Sequence, residues 1–202
     1  MPMPLCLVHK FVVCGKGNKH QILLVLLESD APDSAIIFVG EQSEKSIDVV
    51  CKHCVWVRFF SLCARGASKA LCVFAGNVPS TTLLIEFLKT SYDGSLEILL
   101  LEVDMNFNSR AASLTEIRQG GGLLLVSTDT AARGIDLIET THIFNFDLPQ
   151  TVTDYLHRAR RAGRKPFSDR KCIVTNLISA EERFVLQRFE NELMFNCEEL
   201  ML

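Results

Sequence analysis

The sequence predicts an α/β fold in which a mainly parallel sheet is flanked by helices. Short apolar runs rich in β-branched residues alternate with longer segments that carry helix-start and helix-stop signals. That alternation is typical of right-handed βαβ units, which build parallel sheets. The 202 residues, 48% hydrophobic and 22% charged, suffice for one domain with a substantial core.

The first part of the chain contains an apolar run and one clear strand. The run Gln21–Leu27 is followed by a break at residues 30–33, which include two aspartates and a proline. The segment Ala35–Val39 then has the length and the β-branched content of a strand, and it ends at Gly40. Because every residue of that segment is apolar, we expect the strand to be buried on both faces.

Residues 47–78 differ from the rest of the chain. They are rich in Cys, Val, Phe, Ala and Arg and have no steady period, and they separate Gly40 from the next helix signal at Ser80. Connections in compact domains rarely exceed about 15 residues. We therefore interpret residues 47–78 as an irregular insertion and suspect retained intron sequence or an alternative transcript.

A small zinc module is the alternative interpretation of this insertion. Cys51 and Cys54 have the spacing of a ligand pair, with His53, Cys63 and Cys72 nearby. A second close pair is missing, which favours the first interpretation.

From Ser80 onward, strands and helices alternate regularly. Three glycines at 120–122 predict a helix end, and the capping-box spacings Thr151–Asp154 and Ser179–Glu182 predict helix starts. Apolar residues spaced by four in the last helix, Val185, Phe189 and Leu193, are predicted to be core. The predicted elements are a helix over about 80–90, a strand over 97–102, a helix over about 109–119, a strand over 123–127, a short helical turn, a strand over 141–146, a helix from Val152, a strand over 171–176 and a helix to about Leu193.

Charge and cysteine content restrict the class of protein. The net charge of −3 gives no whole-chain argument for nucleic acid, but residues 157–171 hold seven Arg and Lys side chains against one Asp. Alone, such a run is more often a solvated surface.

The eight cysteines follow no secretory signal, so we expect reduced thiols. No apolar run reaches the length of a membrane span, and we expect no membrane partner.

Two segments have the residue types that bind nucleotides. Ser127–Asp136 follows a predicted strand, where hydroxyls and backbone amides suit phosphate oxygens. Gly134 allows close backbone approach, and Asp136 can accept from a ribose hydroxyl. In the second segment, Arg161 lies four residues after His157 and three before Arg164, so these side chains can share a helical face and present guanidinium forks to a polyphosphate. The alternative for the second segment is an exposed basic helix.

Together these segments resemble motifs V and VI of the DEAD-box ATP-dependent RNA helicases. Ser127–Asp136 matches the pattern Ser/Ala-Thr-Asp-x-x-Ala-Arg-Gly-x-Asp, and His157–Arg164 is similar to His-Arg-x-Gly-Arg-x-Gly-Arg. Ala35–Val39 resembles motif IV, and Arg110 stands at the end of the family's Gln-x-x-Arg element. The resemblance covers residues 10–46 and 79–202. Within the family, the details are most similar to a plant chloroplast enzyme.

The resemblance implies that residues 1–202 form a single RecA-like C-terminal helicase domain, interrupted by the insertion. It also implies roles for individual residues. The residues implied to contact RNA are Arg110, Ser127 and Thr128. Those implied to contact ATP are Gly134, Asp136, Arg161 and Arg164; both arginines would be catalytic, with Arg164 as the arginine finger. The residues implied to couple this domain to the other helicase domain are His157 and Arg158.

The implied cofactor is ATP with Mg²⁺, bound mainly by an N-terminal helicase domain that is missing from this sequence. No Gly-x4-Gly-Lys-Ser/Thr and no Asp-Glu-Ala-Asp occurs, and residues 15–17 lack the required spacing. We therefore expect the chain alone to be inactive as an ATPase. The implied partners are RNA and the N-terminal domain, the implied location is the chloroplast, and we expect a monomer. The alternatives are a non-catalytic RNA- or protein-binding fragment and an aberrant splice product.

Two residues depart from the family patterns. Arg160 stands where motif VI has its first glycine, and we expect this cation to crowd the cleft or to repel the neighbouring arginines. Phe107 replaces the Gln of Gln-x-x-Arg, which puts an RNA or interdomain contact at that position in doubt.

Overall fold

The computed structural model describes residues 3–4, 6–15, 17–40, 80–102, 105–119, 122–132, 140–162 and 172–202. Within these ranges, seven strands and six helices alternate for most of the chain. The strands are β1 Leu7–Val13, β2 Ala35–Phe38, β3 Glu97–Leu101, β4 Leu123–Ser127, β5 His142–Asn145, β6 Cys172–Ile178 and β7 Cys197–Glu199. The helices are α1 Lys19–Asp30, α2 Ser80–Ser91, α3 Phe107–Gln119, α4 Asp129–Ala132, α5 Val152–Ala159 and α6 Arg183–Leu193.

The seven strands form one sheet in the order β3-β4-β2-β5-β6-β1-β7. Every pairing between them is parallel, which confirms the predicted fold class. Strand β2 lies between β4 and β5, so the carboxyl ends of these three strands are adjacent. Ligands of open α/β sheets bind at such an edge.

Strand β2 is buried on both faces, as its composition predicted. Ala35 and Ile37 belong to the apolar cluster that contains the buried residues of α1 and α2. Ile36 and Phe38 belong to the opposite cluster, which includes side chains of α3, α5 and α6. The period of two in a strand thus distributes one apolar segment between two cores.

Both predicted capping sequences form side-chain hydrogen bonds, the first at the start of α5 and the second in the turn before α6. The Oγ1 atom of Thr151 accepts a hydrogen bond from the backbone N–H of Asp154 at 3.1 Å, and α5 begins at Val152 as predicted. The backbone N–H of Ser179 donates to Glu182 Oε2 at 2.7 Å, while the N–H of Glu182 donates to Ser179 Oγ at 3.3 Å. Side chains thus satisfy amides that have no partner within the helix.

Three elements of the structure had no definite prediction from the sequence. The apolar run Gln21–Leu27 lies within helix α1. Strand β1 is inserted between β6 and β7, and β7 is a three-residue edge strand. Of the predicted core residues in α6, Phe189 is fully buried, while Val185 and Leu193 are partly buried against the same cluster.

Some sequence predictions fall outside the described residues or concern a membrane. The insertion at 47–78 and its candidate zinc ligands lie outside the described residues. Among the described residues, no group of three or more His, Cys, Asp or Glu side chains could hold a metal ion. No helix in the described ranges is both long enough and apolar enough to cross a bilayer.

Candidate nucleotide-cleft site

An open cavity lies at the carboxyl edge of the sheet, where β2, β4 and β5 end. Its volume is about 470 Å³, within the usual range for ligand sites. Helix α4 follows β4 and helix α5 follows the loop after β5, so the two helices bring both candidate segments to this cavity. The lining residues are Phe38, Asp129, Ala132, Thr153, Asp154, His157, Arg158 and Arg161.

An ion pair between Asp129 and Arg158 joins the two segments. Arg158 Nε donates to Asp129 Oδ1 at 2.7 Å, and Nη2 donates to Oδ2 at 2.6 Å. Only 2% of the arginine side chain is exposed, against 24% of the aspartate. A bidentate pair in such a dry position fixes both distance and orientation. It therefore links the start of α4 rigidly to the last turn of α5.

The remaining contacts of Arg158 lie inside the domain. Nη1 donates to Asn145 Oδ1 at 3.0 Å and to the carbonyl oxygen of Asp147 at 2.7 Å. The guanidinium also lies over the ring of Phe38, 5.0 Å from its centroid. The coupling role predicted for Arg158 stays a prediction. In the described structure the side chain itself is buried.

Arg161 and His157 both line the cavity. The motif resemblance assigns Arg161 to ATP contact and His157 to coupling with the other helicase domain, and both roles stay predictions. The sequence predicted that the two side chains can share a helical face. Helix α5 ends at Ala159, however, and Arg161 lies in the turn that follows. A shared helical face is therefore not what brings these two side chains to the cavity. Arg164, Gly134 and Asp136 lie outside the described residues, and their predicted ATP contacts stay predictions.

Arg160 adopts an ordinary backbone conformation. It caps α5 with φ −72° and ψ 0°, a conformation open to any L-residue. Its backbone N–H donates to the carbonyl of Leu156 at 3.0 Å and continues the helical pattern. Replacing the family's glycine with arginine thus causes no backbone strain at this position.

The three residues predicted to contact RNA lie around the start of α4. The Oγ of Ser127 donates to the carbonyls of Leu101 and Thr128 at 3.1 and 3.0 Å, and this serine is fully buried. Thr128 Oγ1 accepts from the N–H of Ala131 at 3.4 Å. The hydroxyl of Ser127 therefore acts inside the domain, and the RNA contact predicted for it stays a prediction.

Arg110 links α3 to this neighbourhood. Its Nη1 donates to the carbonyl of Glu102 at 3.0 Å, and its Nη2 donates to that of Ala131 at 3.3 Å. A guanidinium has five N–H donors, and these bonds use two of its three nitrogens. Phe107, in place of the family's Gln, begins α3 with 85% of its surface exposed.

Sequence reasoning missed three residues that organise the site. Asp129, Asn145 and Asp147 supply the acceptors for Arg158, and Asp147 Oδ2 also accepts from the N–H of Gly40 at 3.1 Å. One signal was available for Asn145, because it is a polar residue inside the apolar run of β5. A buried polar side chain needs a partner, and that requirement points to a buried donor such as Arg158.

The comparisons with known proteins agree with this geometry. The family described as "Helicase conserved C-terminal domain" matches residues 18–166. "DEAD-box ATP-dependent RNA helicase 58, chloroplastic" of Arabidopsis thaliana is 75% identical over 202 residues, which are 100% of this chain and 37% of that protein. The protein of the same name from Oryza sativa subsp. japonica is 55% identical over 98% of this chain and 39% of its own length. The chain thus spans less than two fifths of these relatives.

Solved structures show the same fold. Domain 2 of the DEAD-box helicase Mss116p, bound to an RNA duplex, superposes with a TM-score of 0.65 at 19% identity over 96% of this chain and 64% of that one. The E. coli DEAD-box protein SrmB, bound to regulator of ribonuclease activity A, superposes with a TM-score of 0.62 at 22% identity over 96% and 90% of the two chains. The fold is therefore RecA-like. With the described parts of motifs V and VI meeting at one edge of a parallel sheet, this chain belongs to the DEAD-box RNA helicases as their helicase C-terminal domain.

Proposed function

We propose that this domain supplies one wall of an ATP cleft and part of an RNA-binding surface, and that an N-terminal helicase domain supplies the rest. The observation that carries the proposal is the cavity in which Arg161 and the Asp129–Arg158 pair meet at the ends of β4, β2 and β5. Arg161, with Arg164, would contact the triphosphate, and Gly134 and Asp136 would lie near the ribose. These four are the assignments from the motif resemblance.

The cavity is lined by charges of both signs. The carboxylate of Asp129 is neutralised by Arg158, so it does not oppose a phosphate as a lone anion would. Asp154 Oδ2 accepts from the hydroxyl of Thr151 at 2.6 Å at the start of α5. Arg161 lines the same cavity, and we propose that its guanidinium contacts the γ-phosphate. An arginine placed against a γ-phosphate accounts for orders of magnitude in NTPase rates.

The RNA surface would adjoin the cleft at the start of α4. Arg110 and Thr128 would contact the RNA backbone, and the buried Ser127 would support the loop beneath them. Contacts to phosphates and sugars carry little sequence information, so binding would be weakly sequence-specific. His157 would face the N-terminal domain from the exposed side of α5, and Arg158 would act through Asp129.

The chain alone would not hydrolyse ATP. Walker A and Asp-Glu-Ala-Asp motifs, which hold the triphosphate and Mg²⁺ in this family, are absent from the sequence. ATP and Mg²⁺ would bind mainly to the N-terminal domain, and hydrolysis would require both domains. We also propose that the chain is monomeric, which sedimentation tests directly. A chloroplast location is proposed from the two relatives named chloroplastic.

A chimera tests the assignment of Arg161. The Arabidopsis relative, with its corresponding region replaced by this chain, is assayed for ATP hydrolysis at saturating RNA. We expect Arg161→Ala to lower turnover by about 1,000-fold. The matched control is Arg188→Ala, which removes an arginine that is 53% exposed on α6 and should leave turnover within about twofold.

The outcomes separate the candidate functions. Turnover by the isolated chain would refute its dependence on a second domain. An active chimera that Arg161→Ala leaves unchanged would refute the role of this arginine. If the chimera is inactive while the isolated chain binds single-stranded RNA, the function is that of a non-catalytic RNA-binding fragment.

A further inference from the structure

A network of buried side chains runs from the cleft into the sheet. Arg158 Nη1 donates to Asn145 Oδ1 at 3.0 Å, and Asn145 Nδ2 donates to Asn176 Oδ1 at 2.8 Å. Asn176 Nδ2 donates to the hydroxyl of Tyr155 at 3.3 Å and to the carbonyl of Lys10 at 2.9 Å. Asn145, Asn176 and Tyr155 have no exposed surface. These three and Arg158 are the asparagine network.

The strand register creates this network. Asn145 in β5 lies directly opposite Asn176 in β6, and Asn176 in turn lies opposite Phe11 in β1. The two amides therefore span the centre of the sheet in a direction perpendicular to the strands. Tyr155 reaches the same point from α5, one turn before Arg158 on the same helix.

The network has a single direction. Arg158 can only donate, so Asn145 must present its oxygen to the guanidinium and its NH₂ group to Asn176. Asn176 must then present its own oxygen to Asn145 and its NH₂ to Tyr155 and Lys10. Because each donor points away from the cation, the bonds polarise one another in the same sense. Neither amide can rotate without breaking a bond at both of its ends.

The C-terminal segment closes the far end of the network. The ring of Phe195 stacks on Tyr155, with centroids 5.2 Å apart, and lies 4.3 Å from the ring of His9. His9 Nδ1 shares a hydrogen bond of 2.9 Å with the Tyr155 hydroxyl. Burial raises the pKa of Tyr155 well above its usual range, so this hydroxyl keeps its proton.

We propose that Asn145 and Asn176 are positioning residues that hold the Arg158–Asp129 pair in its place at the rim of the cleft. Asn145 acts directly on the guanidinium. Asn176 acts through Asn145, by holding its amide in the orientation that accepts from Arg158. The consequence for ATP turnover rests on the function proposed above, whereas the position of Arg158 is a property of this chain alone.

The first test measures the position of Arg158 in the isolated chain. NMR measures the rate at which the Nε–H proton of Arg158, which is donated to Asp129, exchanges with solvent. We expect Asn176→Leu to speed that exchange about tenfold, because Asn145 loses its acceptor. The matched control Thr175→Val should leave it unchanged, since Thr175 is the fully buried neighbour in β6 and its hydroxyl has no partner among the described residues.

A second variant separates positioning from stability. Asn176→Asp keeps the oxygen that accepts from Asn145 but places a carboxyl in a buried site. We expect it to destabilise the domain at least as much as Asn176→Leu while slowing the exchange of the Arg158 Nε–H relative to Asn176→Leu. If Asn176 had a purely structural role, the less stable variant would also show the faster exchange of the Arg158 Nε–H. If Asn176→Leu does not fold, Asn176→Ser replaces it, because the serine side chain is too short to reach Asn145.

The chimera supplies the functional measurement. We expect Asn176→Leu to lower ATP turnover about fivefold at saturating ATP and RNA, with Thr175→Val within about twofold of the parent. Unchanged exchange of the Arg158 Nε–H in Asn176→Leu would overturn the proposal. Faster exchange with unchanged turnover would show that the network holds the ion pair without affecting ATP hydrolysis. That result would overturn the proposed effect of the network on the cleft. Faster exchange in Asn176→Leu, together with an unsubstituted chimera that does not hydrolyse ATP, would reject the proposed function and leave the positioning role intact.

Discussion

Asp129 and Arg158 lie 29 positions apart in the chain, yet their side chains meet through two hydrogen bonds of 2.7 and 2.6 Å. One follows β4 and the other lies on the helix after β5, and β2 separates those strands in the sheet. The pair therefore spans the width of a strand at the carboxyl edge. Removing either charge would leave the other without its partner in a mostly dry site, which is far more costly than losing an exposed pair.

Asp129→Ala should destabilise the domain by about 3 kcal/mol, because the buried guanidinium of Arg158 then lacks its counter-charge. Urea unfolding followed by circular dichroism measures this loss. The matched control is Glu192→Gln, which breaks an exposed pair with Arg188 at 3.7 Å and should change the stability by less than about 0.5 kcal/mol. Equal effects of the two substitutions would contradict a special contribution of the buried pair.

Thr151→Ala should lower the unfolding free energy by about 1 kcal/mol, since the N–H of Asp154 loses its side-chain acceptor at the start of α5. Thr151→Ser keeps that acceptor and should retain most of the stability. Thr153→Ala alters an exposed threonine of the same helix and should not destabilise the domain. The same urea titration distinguishes these outcomes, and a loss with Thr151→Ser as large as with alanine would argue against the cap.

His9 predicts a pH dependence of stability. Burial lowers the pKa of His9 to about 4, with nearby Glu190 opposing the shift. Tyr155, Phe195 and Cys197 also lie around this part of the sheet. Because the unfolded histidine takes up a proton near pH 6.5 and the folded one only near pH 4, stability falls as the pH decreases through this window.

Between pH 7 and pH 4, the parent chain should lose about 3 kcal/mol more unfolding free energy than His9→Gln, which has no imidazole to titrate. Unfolding free energies measured across this range supply the comparison. The carboxylates titrate in both proteins, so their contribution cancels in the difference. Identical pH profiles for the two proteins would rule out a buried neutral His9.

Cys197 should be slow to react with alkylating reagents. Burial, followed by the charge of Glu190, raises the pKa of its thiol to about 12, so little thiolate is present at pH 8. We expect alkylation by iodoacetamide at least about 100-fold slower than for the same cysteine in the urea-unfolded chain. Peptide mass spectrometry resolves Cys197 from the other cysteines. Similar rates in the two states would contradict this environment.

Much of the fold followed from local patterns. The apolar segment that became β2 predicted burial on both faces, and the capping box at Thr151 placed the start of α5 correctly. The capping signal at Ser179 lies before a turn, and α6 begins only at Arg183. Strand β1 escaped prediction because His9 and Lys10 interrupt its apolar pattern. What makes it a strand is its place between β6 and β7, a tertiary relationship that no local window contains.

For the candidate site, too, the sequence predicted residue roles, and the structure showed the surroundings of each side chain. The motif resemblance predicted that Arg161 contacts ATP and that His157 couples two helicase domains. Both side chains line the cavity, and both roles stay predictions. The same resemblance predicted a coupling role for Arg158 and an RNA contact for Ser127, and these roles also stay predictions. Both side chains are buried and bonded within the domain, and burial depends on which elements pack above a residue.

Hydrophobic period and helix caps were enough to predict a parallel α/β domain, because they are local properties. The family was predicted from the resemblance of two short segments to motifs V and VI of the DEAD-box helicases. Only the folded chain showed which polar groups meet. The contact of Arg158 with Asp129, and that of Asn145 with Asn176, arises from strand order and register. Those are set by the packing of the whole sheet, and no segment of the sequence encodes them separately.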